Sequence, residues 1–258
     1  MHINGLLRSI GLGSALALGA LGCAGVETSG GSDPAGGSNP PPAPTTPAFA
    51  GGGQAAEAKI AYPAGPYGIN AGTIAPDFEF VGYQNPSIKN DEMQTIRLSD
   101  FYNPHADDPS YEPTDAAHDD RLYPESALYG AGMPKPKALM IDVGSVWCPP
   151  CNQEAKTELP PKHLKYKPLG GEFLLQLGDG ATQGKAAVPK DLVNWTKKYK
   201  VDFPSTIDPD YKLGELFAAN AWPANAMIDT RTMKIVVVIA GVPDDAYWTK
   251  FEKVITGN

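Results

Sequence analysis

Two cysteines separated by two prolines, Trp147-Cys148-Pro149-Pro150-Cys151, stand where a nearly continuous apolar run, Ala138-Leu139-Met140-Ile141-Asp142-Val143, gives way to a helical pattern from Cys148 to Leu159. No other feature constrains the fold as much. Such a run reads as a strand buried on both faces, and the helix after it as part of a β-α-β unit. Residues i and i+3 in a helix's first turn lie on one side, so the two sulfurs can reach disulfide distance without disturbing the chain. Pro149 and Pro150 are tolerated there because the first helical N–H groups have no intrahelical partner. Cys148, nearest the exposed helix N-terminus, has its thiolate stabilised by the helix dipole, and Cys151 is expected to be the more buried of the two. The roles that follow are Cys148 as attacking thiolate and Cys151 as resolving thiol. Asp142 shares the strand parity of Cys148. Desolvated there, its carboxyl titrates high and can shuttle the proton of Cys151, the alternative being a polar residue at a sheet edge with a water partner.

The flanking sequence extends the pattern. Phe173-Leu174-Leu175-Gln176-Leu177 is a second apolar run, followed by a helix from Pro189 to Tyr199. Alternation in Phe78-Glu79-Phe80-Val81 and Thr95-Ile96-Arg97-Leu98 predicts an antiparallel pair ahead of them. Ala226-Met227-Ile228-Asp229 and Ile235-Val236-Val237-Val238-Ile239 form a later strand pair. A last helix, Ala246 to Ile255, places Trp248, Phe251 and Val254 at helical spacing. The expected class is α/β, a mixed central sheet flanked by helices with an N-terminal β-hairpin. Residues 103–137 stand out as an acidic insertion holding His105 and His118. Its spacing fits no EF-hand, so a solvated loop is expected there and no metal site.

Composition accounts for the rest of the chain. The 258 residues carry 21 Lys and Arg against 29 Asp and Glu, a net charge of −8, and no basic run dense enough to bind nucleic acid. Residues 1–22 read as a signal peptide whose apolar stretch, Ile10 to Leu21, spans about 18 Å, too short to cross a membrane. Ala20-Leu21-Gly22-Cys23 resembles a bacterial lipobox, although Ala20 stands where Leu is usual, and this makes Cys23 the expected lipid-attachment site. Cleavage nearby with Cys23 left as a free thiol is the alternative. Residues 24–53 hold eight Gly and six Pro with no Lys or Arg, a composition that cannot repay its ordering entropy. Residues 23–60 are therefore expected to be a tether, and 61–258 the folded domain.

The central motif resembles the thioredoxin superfamily, and more closely the TlpA/ResA-like membrane-tethered thiol-disulfide oxidoreductases, whose active site is typically Trp-Cys-Pro-Pro-Cys. Further matches are Ala75-Pro76-Asp77-Phe78, Leu98-Ser99-Asp100-Phe101, Glu154 three residues after the second Cys, Tyr199-x-Val201-x-Phe203-Pro204, and Pro223 ahead of Ala226-Met227-Ile228-Asp229. The resemblance implies a thioredoxin-like fold, a redox-active disulfide with no other cofactor, and a monomer. It implies cysteine-containing exported proteins as substrates, a membrane thiol as electron donor, and a lipid-anchored place in the bacterial cell envelope. It places Asp142 at the family's buried acid and Pro223 at its cis-proline, which pairs with the substrate strand. Trp147, Pro149, Pro150 and Trp222 would then contact substrate. Two departures are visible: Trp222 precedes Pro223 where a modest side chain is usual, and Lys156 replaces a kinking proline, leaving Pro160-Pro161 to end the helix. A peroxiredoxin-like peroxide reductase is a second reading, though Ile141 and Ser145 occupy that family's Pro and Thr positions. A non-enzymatic metal- or protein-binding redoxin is a third.

Overall fold

A computed structural model describes residues 60–88, 92–115, 118–127, 130–213 and 221–258. The segment expected to be a signal peptide, the expected tether and the expected lipid-attachment site, Cys23, lie outside the described residues. The first alternating pair forms β1 (Glu79–Tyr83) and β2 (Gln94–Arg97), antiparallel with Phe80 opposite Ile96. The two apolar runs form β3 (Ala138–Ser145) and β4 (Gly171–Asp179), parallel and buried at every position. Between them lie α1 (Pro149–Thr157) and α2 (Leu159–Tyr166). Then come α3 (Pro189–Tyr199), β5 (Ser205–Ile207), the antiparallel pair β6 (Ala224–Asp229) and β7 (Lys234–Ala240), and α4 (Asp245–Thr256). The strands make one mixed sheet in the order β2-β1-β5-β4-β3-β6-β7. This is the expected α/β class, a mixed central sheet with flanking helices and an N-terminal β-hairpin.

Two features differ from the expectation. Pro160 and Pro161 do not merely end the first helix: they occupy the first turn of α2, where missing N–H groups cost nothing, and Glu158 joins the two helices. Strand β5 is three residues long, too short to show an alternation of its own. It forms because it fits between two partners, parallel to β4 and antiparallel to β1.

Strand alternation divides the core. Ala138 and Met140 of β3 join a cluster to which α1, α2, α3 and α4 all contribute buried side chains, while Leu139, Ile141 and Val143 join a second cluster with Phe80, Ile96 and Phe101 on the other face. Each fully buried large apolar side chain contributes about 1.5–3 kcal/mol. Asp142, between Met140 and Gly144, therefore shares the helix-covered face. β3 lies between β4 and β6, so Asp142 is not at a sheet edge.

At the opposite end of the sheet Glu172 is fully buried and bonded to His163 Nε2 (2.9 Å) and Lys167. Burial pushes its carboxyl up, but these two partners outweigh it and hold Glu172 below the usual carboxylate range. Residues 103–137 carry turns and isolated bridges among their described residues. Asp107 ties them to Lys137 (2.6 Å) and Arg231. His105 stacks on Tyr111 and His118 pairs with Asp115.

Candidate active site

The disulfide sits where β3 hands over to α1. Cys148 is the N-cap of α1 in extended conformation, Pro149 and Pro150 open the helix, and the Cys151 N–H donates to Cys148 Sγ at 3.2 Å. Cys148 and Cys151 are bonded, with S–S 2.12 Å, a dihedral of 81° and Cα atoms 5.3 Å apart. The expected difference in burial is absent, since each is 2 % exposed. Both sulfurs belong to the helix-side cluster, and Val146, Trp147 and Trp222 pack against it. Exposure at this turn falls instead on Pro149 and Pro150.

Beneath the sulfurs, β3 passes so close that a Cβ on Gly144 would lie 3.5 Å from Cys151 Cβ. Two residues back along the same face is Asp142, and on the buried side of α1 is Glu154. Burial raises the Asp142 carboxyl above the usual range. Burial, and then the nearby Asp142 charge, raises Glu154 as well. Asn225, directly opposite Asp142 on β6, donates to Glu154 Oε1 (3.3 Å) and to the Gly241 carbonyl (3.1 Å). Asp142 Oδ1 and Glu154 Oε2 are buried with no hydrogen-bond partner among the described residues. The Tyr247 hydroxyl donates to the Ala226 carbonyl at 3.2 Å. Burial, Glu154 and Asp142 all hold it protonated. Two like charges in one desolvated site favour keeping a proton on one of the two carboxyls.

Glu154 entered the sequence reading only as part of a motif, and Asn225 and Tyr247 did not enter it. The available signal was helical spacing: Cys151, Glu154 and Ala155 make the buried stripe of α1.

The aromatic residues are fixed by partners distant in sequence. The Trp147 indole N–H donates to Asp179 Oδ2 at 2.8 Å, and the same carboxylate accepts from the Gly184 N–H (2.7 Å) and the Tyr211 hydroxyl (2.6 Å). The Trp222–Pro223 peptide bond is cis. Pro223 immediately precedes β6, whose first residue pairs with Val143, so it lies at the same end of the sheet as the disulfide. The Trp222 ring rests on Gly178 of β4, where an added Cβ would lie 2.6 Å from the ring edge. Gly178 thus makes the room that Trp222 needs. Gly178→Ala is expected to displace this indole and cost about 1–3 kcal/mol. The check is a shift in tryptophan emission together with a lower urea midpoint. An unchanged spectrum would contradict the packing described.

No family model matches the chain, and no curated protein matches it. Among solved structures it is similar to the pneumococcal exposed lipoprotein thioredoxin of Streptococcus pneumoniae, with 22% identity over 69% of this chain and 98% of that one and a TM-score of 0.42. It is similar to the thioredoxin domain of a thiol-disulfide oxidoreductase of Bacteroides vulgatus, with 15% identity over 72% and 97% and a TM-score of 0.46. A secreted thiol-disulfide isomerase of Corynebacterium glutamicum is a third, with 14% identity over 71% and 86% and a TM-score of 0.46.

Proposed function

We propose that this protein is an extracytoplasmic, membrane-tethered thiol-disulfide oxidoreductase that reduces disulfides in exported proteins. The observation that carries the reading is the Cys148–Cys151 bond at the mouth of α1, with the Cys151 N–H directed at Cys148 Sγ. In the reduced protein that donor and the helix N-terminus favour a thiolate on Cys148.

The reaction runs in two exchanges. The Cys148 thiolate attacks one sulfur of a substrate disulfide, forming a mixed disulfide and expelling the other substrate sulfur as a thiolate, which takes a proton. Asp142 then accepts the proton of Cys151, through a buried water or Glu154. The Cys151 thiolate attacks Cys148 Sγ, releases the second substrate thiolate and closes the Cys148–Cys151 bond. Two electrons pass from the protein to the substrate. A membrane thiol donor restores the dithiol by the same exchange in reverse. Pro223 pairs with the substrate strand, and Trp147, Pro149, Pro150 and Trp222 border it. The lipobox-like segment ending at Cys23 and the Gly/Pro-rich sequence after it support a tethered, extracytoplasmic placement.

The direction of electron flow rests on the TlpA/ResA-like resemblance, and equilibration against glutathione tests it. The expected potential lies near that of strongly reducing Cys-x-x-Cys proteins, about −270 mV. A value near about −120 mV, typical of strong oxidants, would overturn the reductase assignment.

A further inference from the structure

A groove of about 570 Å³ opens beside the redox pair, between α1 and the end of α3. Trp147 and Pro149, the two neighbours of Cys148, line it together with Asn152, Tyr199, Lys156 and Lys198. Asn152 connects this groove to the reacting centre. Its amide donates to the carbonyls of Cys148 (2.7 Å) and Val146 (3.0 Å), while its oxygen accepts from the Tyr199 hydroxyl and from Lys198 Nζ (3.1 Å). The groove is therefore lined by the residues on either side of Cys148.

Of the side chains lining the groove only Lys156 and Lys198 carry charge, and both are positive. Lys156 and Lys198 are exposed, form no ion pair among the described residues, and share the groove with no carboxylate. A chain of net charge −8 thus presents a positive surface beside its disulfide.

We infer that the groove selects substrate polypeptides with Asp or Glu close to the reacting cysteine, seating those carboxylates against Lys156 and Lys198 while the Trp147 and Tyr199 rings border the backbone. This rests on the thiol-exchange reading above. The lysines steer encounter, so their effect belongs in the association rate and weakens with salt.

The test uses the reduced protein and two disulfide peptides of the same length, one with aspartates and one with lysines flanking the cysteine. Each rate is divided by the rate the same protein shows with hydroxyethyl disulfide. At low ionic strength wild-type protein is expected to prefer the acidic peptide about tenfold, and the preference should shrink towards unity at about 0.5 M salt. The doubly reversed variant, Lys156→Glu with Lys198→Glu, is expected to prefer the basic peptide. A wild-type ratio near one, or a preference that the double reversal leaves in place, overturns the groove assignment. Wild-type protein that reduces neither the peptides nor hydroxyethyl disulfide overturns thiol exchange itself.

Discussion

Cys148→Ala is expected to lower the rate of disulfide reduction by about 10³-fold or more, because the reaction has no other route to its first covalent intermediate. Cys151 cannot take over the attack readily. Although the two are equally buried, Cys151 packs against Gly144 of β3, and the amide donor of the turn is directed at Cys148 rather than at it. A turbidity assay with a model disulfide protein would measure the loss. Cys151→Ser is expected to behave differently: the first exchange proceeds, and the mixed disulfide then accumulates because no internal thiol can resolve it. No mixed disulfide in Cys151→Ser, or mixed disulfide formed at the wild-type rate in Cys148→Ala, would show that the cysteines do not divide the work in this order.

The second large effect concerns Asp142 and its dependence on pH. Asp142 and Glu154 both titrate above the usual carboxylate range, burial being the first cause in each. A carboxyl whose folded pKa is raised contributes stability that is complete below its unfolded value, about pH 4, and lost as pH rises through the folded value. The protein should therefore lose stability between mildly acidic and alkaline pH. Asp142→Asn removes one of these titrations, and Glu154 Oε2, buried with no partner among the described residues, is placed to accept from the new amide. The variant is expected to be more stable than wild type at pH 8, on the order of 2 kcal/mol, with little difference at pH 4.5. The same change removes the base proposed for Cys151, so resolution of the mixed disulfide should slow about 10²-fold while its formation is little affected. Urea unfolding at the two pH values and stopped-flow exchange read these separately. A variant no more stable than wild type at pH 8 would contradict a strained carboxyl pair.

How far the sequence disclosed this depended on the range of the interaction. The strand before Cys148, the helix after it and the whole of α3 were legible because periodicity and proline punctuation are local signals. Strand β5 was not, since three residues carry no period and its pairing with β1 and β4 comes from tertiary packing. Pro160-Pro161 were visible as a break, yet a proline pair is compatible with either an end or a beginning, and only packing of Leu159, His163 and Tyr166 makes it a beginning. The site divides in the same way. Cys148, Cys151 and Asp142 lie within ten residues and share one reading of spacing. Asn225 opposite Asp142, Asp179 beneath Trp147 and Gly178 beneath Trp222 come from strands remote in the chain, and no local pattern announces them. The lysine groove was missed for a related reason: a net charge of −8 averages over positions that the fold later separates.

The claim that Cys148 attacks and Cys151 resolves is tested most directly by mass spectrometry of the trapped intermediate. Reduced Cys151→Ser protein would be mixed with a disulfide-bonded substrate, quenched in acid, and the linked peptides sequenced. The result expected is one dominant mixed disulfide through Cys148, with little or none when Cys148→Ser is treated alike. Linkage through Cys151 in the Cys148→Ser protein at a comparable rate, or no mixed disulfide in either variant, would contradict the account.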